Sequence, residues 1–473
     1  MTSRPSCLLH LFGARQSARA WICASLILTF AAAAGAADWP AFGFDAGRSH
    51  GTQERLGLPL RNAWRHVAAQ PPAPAWPEPV LEMHRVDFDY AFQPVIAGGR
   101  VFFASSTDDS IRALDLTTGK ICWRFTADAP LRFAPQIAGG LCYIAGDDGF
   151  IHCLSAATGK SVWKHRIALD ERQVIGNGRM ISRWPCRTGV LVSGDVVYVT
   201  AGMWPSEGIF VLALDARDGH ELWCNDTSGA RFMLYPHGGS YAIGGVAPQG
   251  YLLASEDKLL VPTGRSVPAA FDRRTGRLLY YRAELRADGG WRATLAGDSF
   301  YGGIHAERWP MSVPQEKFGP RPGDGLRRYD LATGATNNIL PGRHFIVPAG
   351  DMDFIAGDGA VQAMRGGVAV WTAAHPRVFD LARAADAILV GGSNSISALD
   401  PTTGALLWRG ETDGEARGIA VADGRLVVAT HRGTLYCFAA DGAKPETSGE
   451  QTDVGLLGAD KLPEHAGGHA IFK

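Results

Sequence analysis

Ala113-Leu114-Asp115-Leu116-Thr117-Thr118-Gly119-Lys120-Ile121-Cys122-Trp123 decides the fold, because this unit comes back along the chain. Cys153-Leu154-Ser155-Ala156-Ala157-Thr158-Gly159 repeats it with Trp163, and Ala213-Leu214-Asp215 repeats it through Asp218-Gly219 to Trp223. Ala270-Phe271-Asp272-Arg273-Arg274-Thr275-Gly276 has Tyr280 in the tryptophan place. Tyr329-Asp330-Leu331-Ala332-Thr333-Gly334 follows, then a worn copy over 364–371. Ala398-Leu399-Asp400-Pro401-Thr402-Thr403-Gly404 with Trp408 is nearly ideal, and Cys437-Phe438-Ala439-Ala440-Asp441-Gly442 is the last.

Each copy sits in one local grammar. A Gly-rich turn such as Gly98-Gly99 or Gly139-Gly140 starts a strand. A second turn leads to the strand that ends in Ala-Leu-Asp, and a tight Thr-Gly turn leads to the tryptophan strand. The Asp can accept bonds from its own turn, and the Gly supplies the positive φ that turn needs. Short strands without helical periodicity make the chain all-β, and four strands per repeat make a propeller blade. The regular spacing of the tryptophans marks them as packing between neighbouring blades.

Eight copies predict an eight-bladed β-propeller. Its last copy has no tryptophan strand, while Asn62-Ala63-Trp64-Arg65-His66 is a tryptophan strand with no repeat before it. The N-terminal strand is therefore expected to complete the last blade and remove the open edge.

The chain has 473 residues, 58 of them Gly, and a formal net charge of −1. Nothing in that balance favours nucleic acid or an anionic membrane as partner. Arg4, Arg15 and Arg19 precede an apolar run over 20–34, and Ala34-Gly35-Ala36 offers a cleavage site. Residues 1–36 read as a signal peptide, residues 37–443 as the propeller and residues 444–473 as a C-terminal tail. The mature protein is then periplasmic or secreted, with no membrane span after cleavage. Cys142 and Cys153 flank the turn at Gly146-Asp147-Asp148-Gly149 and would face each other across a hairpin, so a bridge and a pair of buried thiols both fit.

The copies at 113–123 and 398–408 resemble the tryptophan-docking motif of PQQ-like, quinoprotein alcohol dehydrogenase-like propellers. They are equally similar to the propeller factor of the Bam complex. The resemblance covers about residues 60–442. Asp87-Phe88-Asp89-Tyr90-Ala91-Phe92-Gln93, Gly176 to Pro185 and Gly244 to Tyr251 resemble an exported bacterial subfamily with no established chemistry. The resemblance raises PQQ with calcium as a cofactor, but no adjacent cysteines, haem motif or matched ligand set supports it. The cofactor stays unknown.

Repeat spacing is uneven. The intervals from Gly159 to Gly219, to Gly276 and to Gly334 exceed those from Gly119 to Gly159 and from Gly404 to Gly442. The excess falls over 165–187, 225–249, 202–208 and 305–325, between a tryptophan strand and the next blade or between a blade's second and third strands. In an up-and-down blade both connections emerge on one face, and such insertions build binding surfaces.

These segments carry Trp184, Trp204 and Trp309, each before a proline, with Arg179, Arg183, Glu207 and His237. Rings that stack on C–H surfaces and forked arginines that hold carboxylates suit a polar, carbohydrate-like ligand. Asn177, Gln249 and Arg265 join this ligand-binding set. So do Asp87 and Asp89, which could hold a metal or a sugar, although a strand-end role on the surface is the favoured reading for them.

His237, His305, Glu207 and Tyr235 are candidates for acid–base catalysis. The sequence leaves four functions open: binding of a small-molecule or glycan ligand, PQQ-dependent oxidation, polysaccharide cleavage, and a Bam-like assembly scaffold with a protein partner. Binding on the insertion-rich face is the expectation taken forward.

Overall fold

Each repeat folds into a four-stranded antiparallel meander. In the first, Val95–Ala97, Arg100–Ser105, Ser110–Asp115 and Ile121–Thr126 pair in chain order. The two middle strands are almost wholly buried and mostly apolar, with Ser110 and Arg112 the buried polar residues on one face of the third strand. On the outermost strand only Trp123 is buried. That gradient follows from stacking sheets around an axis: inner strands meet a neighbour on each face, and outer strands meet solvent. The computed structural model describes residues 38–76, 86–167, 169–176, 178–234, 241–264, 266–282, 289–304, 325–357, 359–441 and 446–449.

The repeated turn fastens one blade to the next. Asp115 Oδ1 accepts the backbone N–H of Thr117 and Thr118 and the Thr118 hydroxyl, at 3.1, 2.8 and 2.9 Å. Gly119 has φ +69°, and a Cβ there would stand 2.6 Å from the Trp64 ring. The same contact links Gly159 to Trp123, Gly219 to Trp163, Gly276 to Trp223, Gly334 to Tyr280 and Gly404 to Trp371. The ring N–H then donates into the neighbouring blade, from Trp64 to Leu116 O at 2.8 Å and from Trp123 to Ala156 O at 3.0 Å. The glycine is required twice over, by the turn and by the flat ring lying on it.

The repeat count predicts eight blades, and the structure corrects this to seven. Six sheets have four strands, and one has seven. The copies at 398–404 and 437–442 do not form separate sheets, because one long strand, Leu406–Ala422, runs through both. Ala387–Leu399 pairs with Asp380–Ala384 and then with Leu406–Ala422, and the latter continues past Gly414 to pair with Arg425–Thr430. Counting turns in a sequence does not reveal that a strand continues. At the far side of this sheet Arg61–Val67 runs antiparallel to Thr434–Ala439, with Trp64 opposite Cys437.

Two segments outside the repeats lie across the sheets. Residues 38–56 run along the free edges of the innermost strands. Trp39 pairs with Ile96, Pro40 O accepts from Ile137, Ala46 O from Ala254, Gly47 O from Leu295, and Gly51 bridges to Arg383. Arg48, fully buried, donates to Phe42 O and Leu252 O at 2.8 Å each. These contacts include the first-to-second-strand turns at Gly98 and Gly424. The segment thus lies against the inner strands of successive blades. Residues 71–76 and 86–94 lie on the insertion-bearing face, just before the first blade.

Cys142 and Cys153 do not face each other. Cys142 is opposite Leu154, and Cys153 is opposite Tyr143, so their side chains leave the sheet on different faces, and both are free, buried thiols.

Candidate functional site

A cleft opens on the insertion-bearing face. Asp87, Gln93, Arg292, Arg343, His344 and Arg417 provide its polar lining, and Trp291, Phe345 and Phe379 provide the aromatic part. Most of these residues stand where an innermost strand begins. Arg292 precedes Ala293–Ala296, Arg343 opens Arg343–Ala349, and Gln93 lies two residues before Val95–Ala97. Gly303 and Gly325 also line it, so the chain leaves for the 305–324 insertion and returns from it at the rim.

The guanidiniums are held in place. Arg417 donates through Nη1 to Asp87 Oδ2 at 3.0 Å and through Nε to Glu415 Oε2 at 2.7 Å, and lies 4.8 Å over the Phe379 ring. Arg292 donates to Asp380 at 2.7 Å and to His50 Nδ1 at 3.1 Å, and lies 4.9 Å over Phe345. Burial first, then the charges of Arg292 and Arg48, push the His50 imidazole well below its ordinary pKa. Its Nδ1 is thus an acceptor for Arg292. Arg343 donates through Nε to Gln362 at 3.1 Å and through Nη1 to the Gly342 carbonyl at 3.2 Å. Asp87 also takes the indole N–H of Trp291, and Gln93 donates to Arg417 O at 3.0 Å. Three guanidiniums against one lining carboxylate, above aromatic rings, can hold an anionic group and stack on an apolar sugar face.

A separate ionic quartet is buried among Asp89, Arg132, Asp147 and Arg187. Arg132 bonds Asp89 at 2.8 Å and Asp147 at 2.6 Å, and Arg187 lies 3.3 Å from Asp147. Burial opposes the charge on Arg132, but Asp147 and Asp89 more than offset it and raise its pKa. Breaking such a pair strands a charge in low dielectric.

The expected site residues therefore separate. Asp87 lines the cleft. Asp89 is buried in the quartet, and the surface strand-end role is corrected for it. Arg179 pairs with Asp109 and donates to Thr107 O at 3.2 Å, pinning its insertion to the first blade. Arg183 pairs with Glu207, and Trp184 is buried with its indole donating to Glu207 O at 2.6 Å. Trp204 is 54% exposed, and Gln249 Oε1 lies 3.4 Å from the Trp76 indole nitrogen. Asn177, Arg265, His237, His305, Trp309 and Tyr235 lie outside the described residues.

Arg292, Arg343, His344 and Arg417 were missed by the sequence reading. A signal existed. Counted back from the turn after each first strand, Gln93 and Arg292 fall five positions upstream of Gly98 and Gly297, Arg417 falls six upstream of Asp423, and Arg343 falls seven upstream of Gly350.

Among the described residues the only cluster with metal-ligand spacing is Asp215, Asp218 and His220, away from the cleft on a Thr-Gly-type turn, and Arg217 already bonds Asp215 at 2.7 Å. Calcium needs converging oxygens, and the described cleft offers guanidiniums, so calcium with a quinone does not fit it.

Residues 107–298 and 357–471, more than half of the chain, match the family described as outer membrane protein assembly factor BamB, a PQQ-type repeat family. The chain belongs to this family. BamB of Yersinia pestis is 26% identical over 156 residues, which span 32% of this chain and 37% of that protein. Among solved structures, the quinohemoprotein alcohol dehydrogenase of Comamonas testosteroni aligns at TM-score 0.60 and 16% identity, over 88% of this chain and 82% of that one. BamB of Moraxella catarrhalis aligns at TM-score 0.51 and 18% identity, over 76% and 99%. At such identities these likenesses show the propeller fold and nothing about chemistry.

Proposed function

We propose that the chain is an exported, periplasmic propeller that binds a polar organic anion of the acidic-sugar kind in the arginine cleft. One observation carries this reading: Arg292, Arg343 and Arg417 converge on a cleft with an aromatic wall, and among the described residues Asp87 is the only lining carboxylate. Carboxylate and amide partners orient the guanidiniums before any ligand arrives, which lowers the cost of binding. No acid–base pair is assembled in the described cleft. Glu207, the one catalytic candidate within the described residues, is tied to Arg183.

The test is titration with glucuronate and galacturonate beside glucose. The acids should bind, and Arg343→Met should weaken them at least about tenfold with no loss of thermal stability, as expected for a lost charge-assisted contact. No binding by either acid, or binding indifferent to Arg343→Met, would sink the reading.

Membership in the BamB family supports a second reading, a scaffold for envelope assembly. Cross-linking in the periplasm that recovers outer-membrane assembly components would favour it.

Two structural proposals accompany the first. Residues 1–36 are removed on export, which N-terminal sequencing checks. Arg61–Val67 fastens the ring, since Trp64 reaches Leu116 O of the first blade.

A further inference from the structure

The three arginines of the cleft differ in what holds them. Arg292 donates to Asp380 at 2.7 Å, and Arg417 donates to Asp87 at 3.0 Å and to Glu415 at 2.7 Å. Arg343 is held by neutral oxygens instead. Its Nη1 donates to the Gly342 carbonyl at 3.2 Å, and its Nε donates to Gln362 Oε1 at 3.1 Å. Among the described residues no carboxylate pairs with Arg343, and the fold does not use its Nη2 donors.

The blade builds this arrangement. Arg343 opens the innermost strand, Arg343–Ala349, and Gln362 lies on the third, Ala360–Arg365. On the strand between them, Gly357 stands opposite Arg343. A Cβ at Gly357 would come within 2.7 Å of the Arg343 Cα and 2.0 Å of the Gly342 carbonyl oxygen, so a larger residue does not fit. With no side chain at that position, the arginine reaches across the second strand to Gln362. An arginine only donates, so the Gln362 amide must present Oε1 to it, which leaves Nε2 as a donor elsewhere. Nε2 donates to the Thr372 hydroxyl at 3.1 Å, across a residue pair that joins the third strand to the outermost. The relay from Thr372 through Gln362 to Arg343 fixes a guanidinium without supplying a negative charge.

A glutamate at 362 would hold the arginine and neutralise it, as Asp380 does for Arg292. An anion approaching Arg417 also meets Asp87 and Glu415, whereas one at Arg343 meets no carboxylate bonded to that guanidinium. The inference rests on the anion-binding reading of the cleft and assigns its charge recognition to one blade. We propose that, of the three arginines, Arg343 takes the anionic group of the ligand, with Gln362 and Thr372 as its positioning residues, while Arg292 and Arg417 keep their carboxylates and meet the neutral part.

Labelling of the full chain with phenylglyoxal, mapped by peptide mass, tests the assignment without a sugar. Arg343 should react before Arg292 and Arg417, and sulfate should slow its reaction more than chloride does at equal ionic strength. Gln362→Glu should slow the reaction of Arg343 at least about fivefold and weaken glucuronate at least about tenfold. Gln362→Leu and Thr372→Val lose position but not charge, and should weaken glucuronate only about threefold. Melting temperatures should change little, since Gln362 is half-buried and Thr372 exposed. Three results would overturn the proposal: earlier labelling of Arg292 or Arg417, a Gln362→Glu protein that labels and binds as wild type does, or a Gln362→Leu protein as impaired as Gln362→Glu. Sulfate protection of Arg343 with no response to glucuronate would instead fault the acidic-sugar reading and leave Arg343 as the anion site.

Discussion

The two ends of each blade use their polar groups in opposite ways. At the Thr-Gly end, Asp272 Oδ1 accepts two backbone N–H groups and the Thr275 hydroxyl of its own turn, and the Trp223 ring lies on Gly276. Every group there is consumed by the fold. At the other end, arginines from separate blades are steadied by Asp87, Asp380 and Glu415, yet still line a cleft. The same repeat thus separates stability from recognition. The closed face tolerates little change, whereas the open face can exchange residues without unfolding the ring.

The sharpest way to break that comparison is at the closed face. Gly159→Val would place a Cβ 2.5 Å from the Trp123 ring at φ +70°, and should cost roughly 3 kcal/mol or more in denaturant unfolding. Trp123→Ala should cost about 3–5 kcal/mol by the same measurement, through the cavity it leaves. A stable Gly159→Val protein would show that ring-on-turn docking is not what holds neighbouring blades. Next comes the quartet: Arg132→Met strands Asp89 and Asp147 and should cost about 3 kcal/mol, more than the removal of an exposed pair such as Arg166–Glu171.

The smallest effects are those of pH. The Thr275 hydroxyl and then its backbone N–H hold the Asp272 carboxyl below the usual range. The unfolded chain therefore binds more protons near pH 4. The stabilisation is present above the unfolded pKa and is lost as pH falls through the folded one. Asp272→Asn should flatten the acid limb of the melting profile below about pH 4. His50 acts in a higher window. Its folded pKa is depressed, so the unfolded chain takes up the proton first, and stability falls as pH drops below about 6.5. His165, His375 and His431 are depressed by burial as well and add to that slope, so His50→Gln should reduce it, and an unchanged slope would place its origin in those three.

The closed face was legible because its signal is local. Asp115, Gly119 and Trp123 lie within one turn of one another in sequence, and the spacing repeats. The seventh sheet was not legible as one unit, since the continuity of Leu406–Ala422 through Gly414 depends on pairing rather than on residue type. The cleft was half legible. Asp87 stood out beside aromatic residues, but Arg292, Arg343 and Arg417 are far apart in the chain and converge only when the sheets are arranged in a ring. Trp184 and Arg183 looked like ligand residues because aromatic and arginine side chains also serve as staples, and here they close on Glu207. Residues 38–56 carry no repeat, so nothing in their pattern announced that they pair along the innermost strands.

Hydrogen exchange with and without glucuronate tests the account most directly. The account predicts new protection at 87–93, 291–292, 343–345 and 417, with the Thr-Gly turns unchanged. Protection confined to 183–184 and 204–207, or none at all, would contradict it.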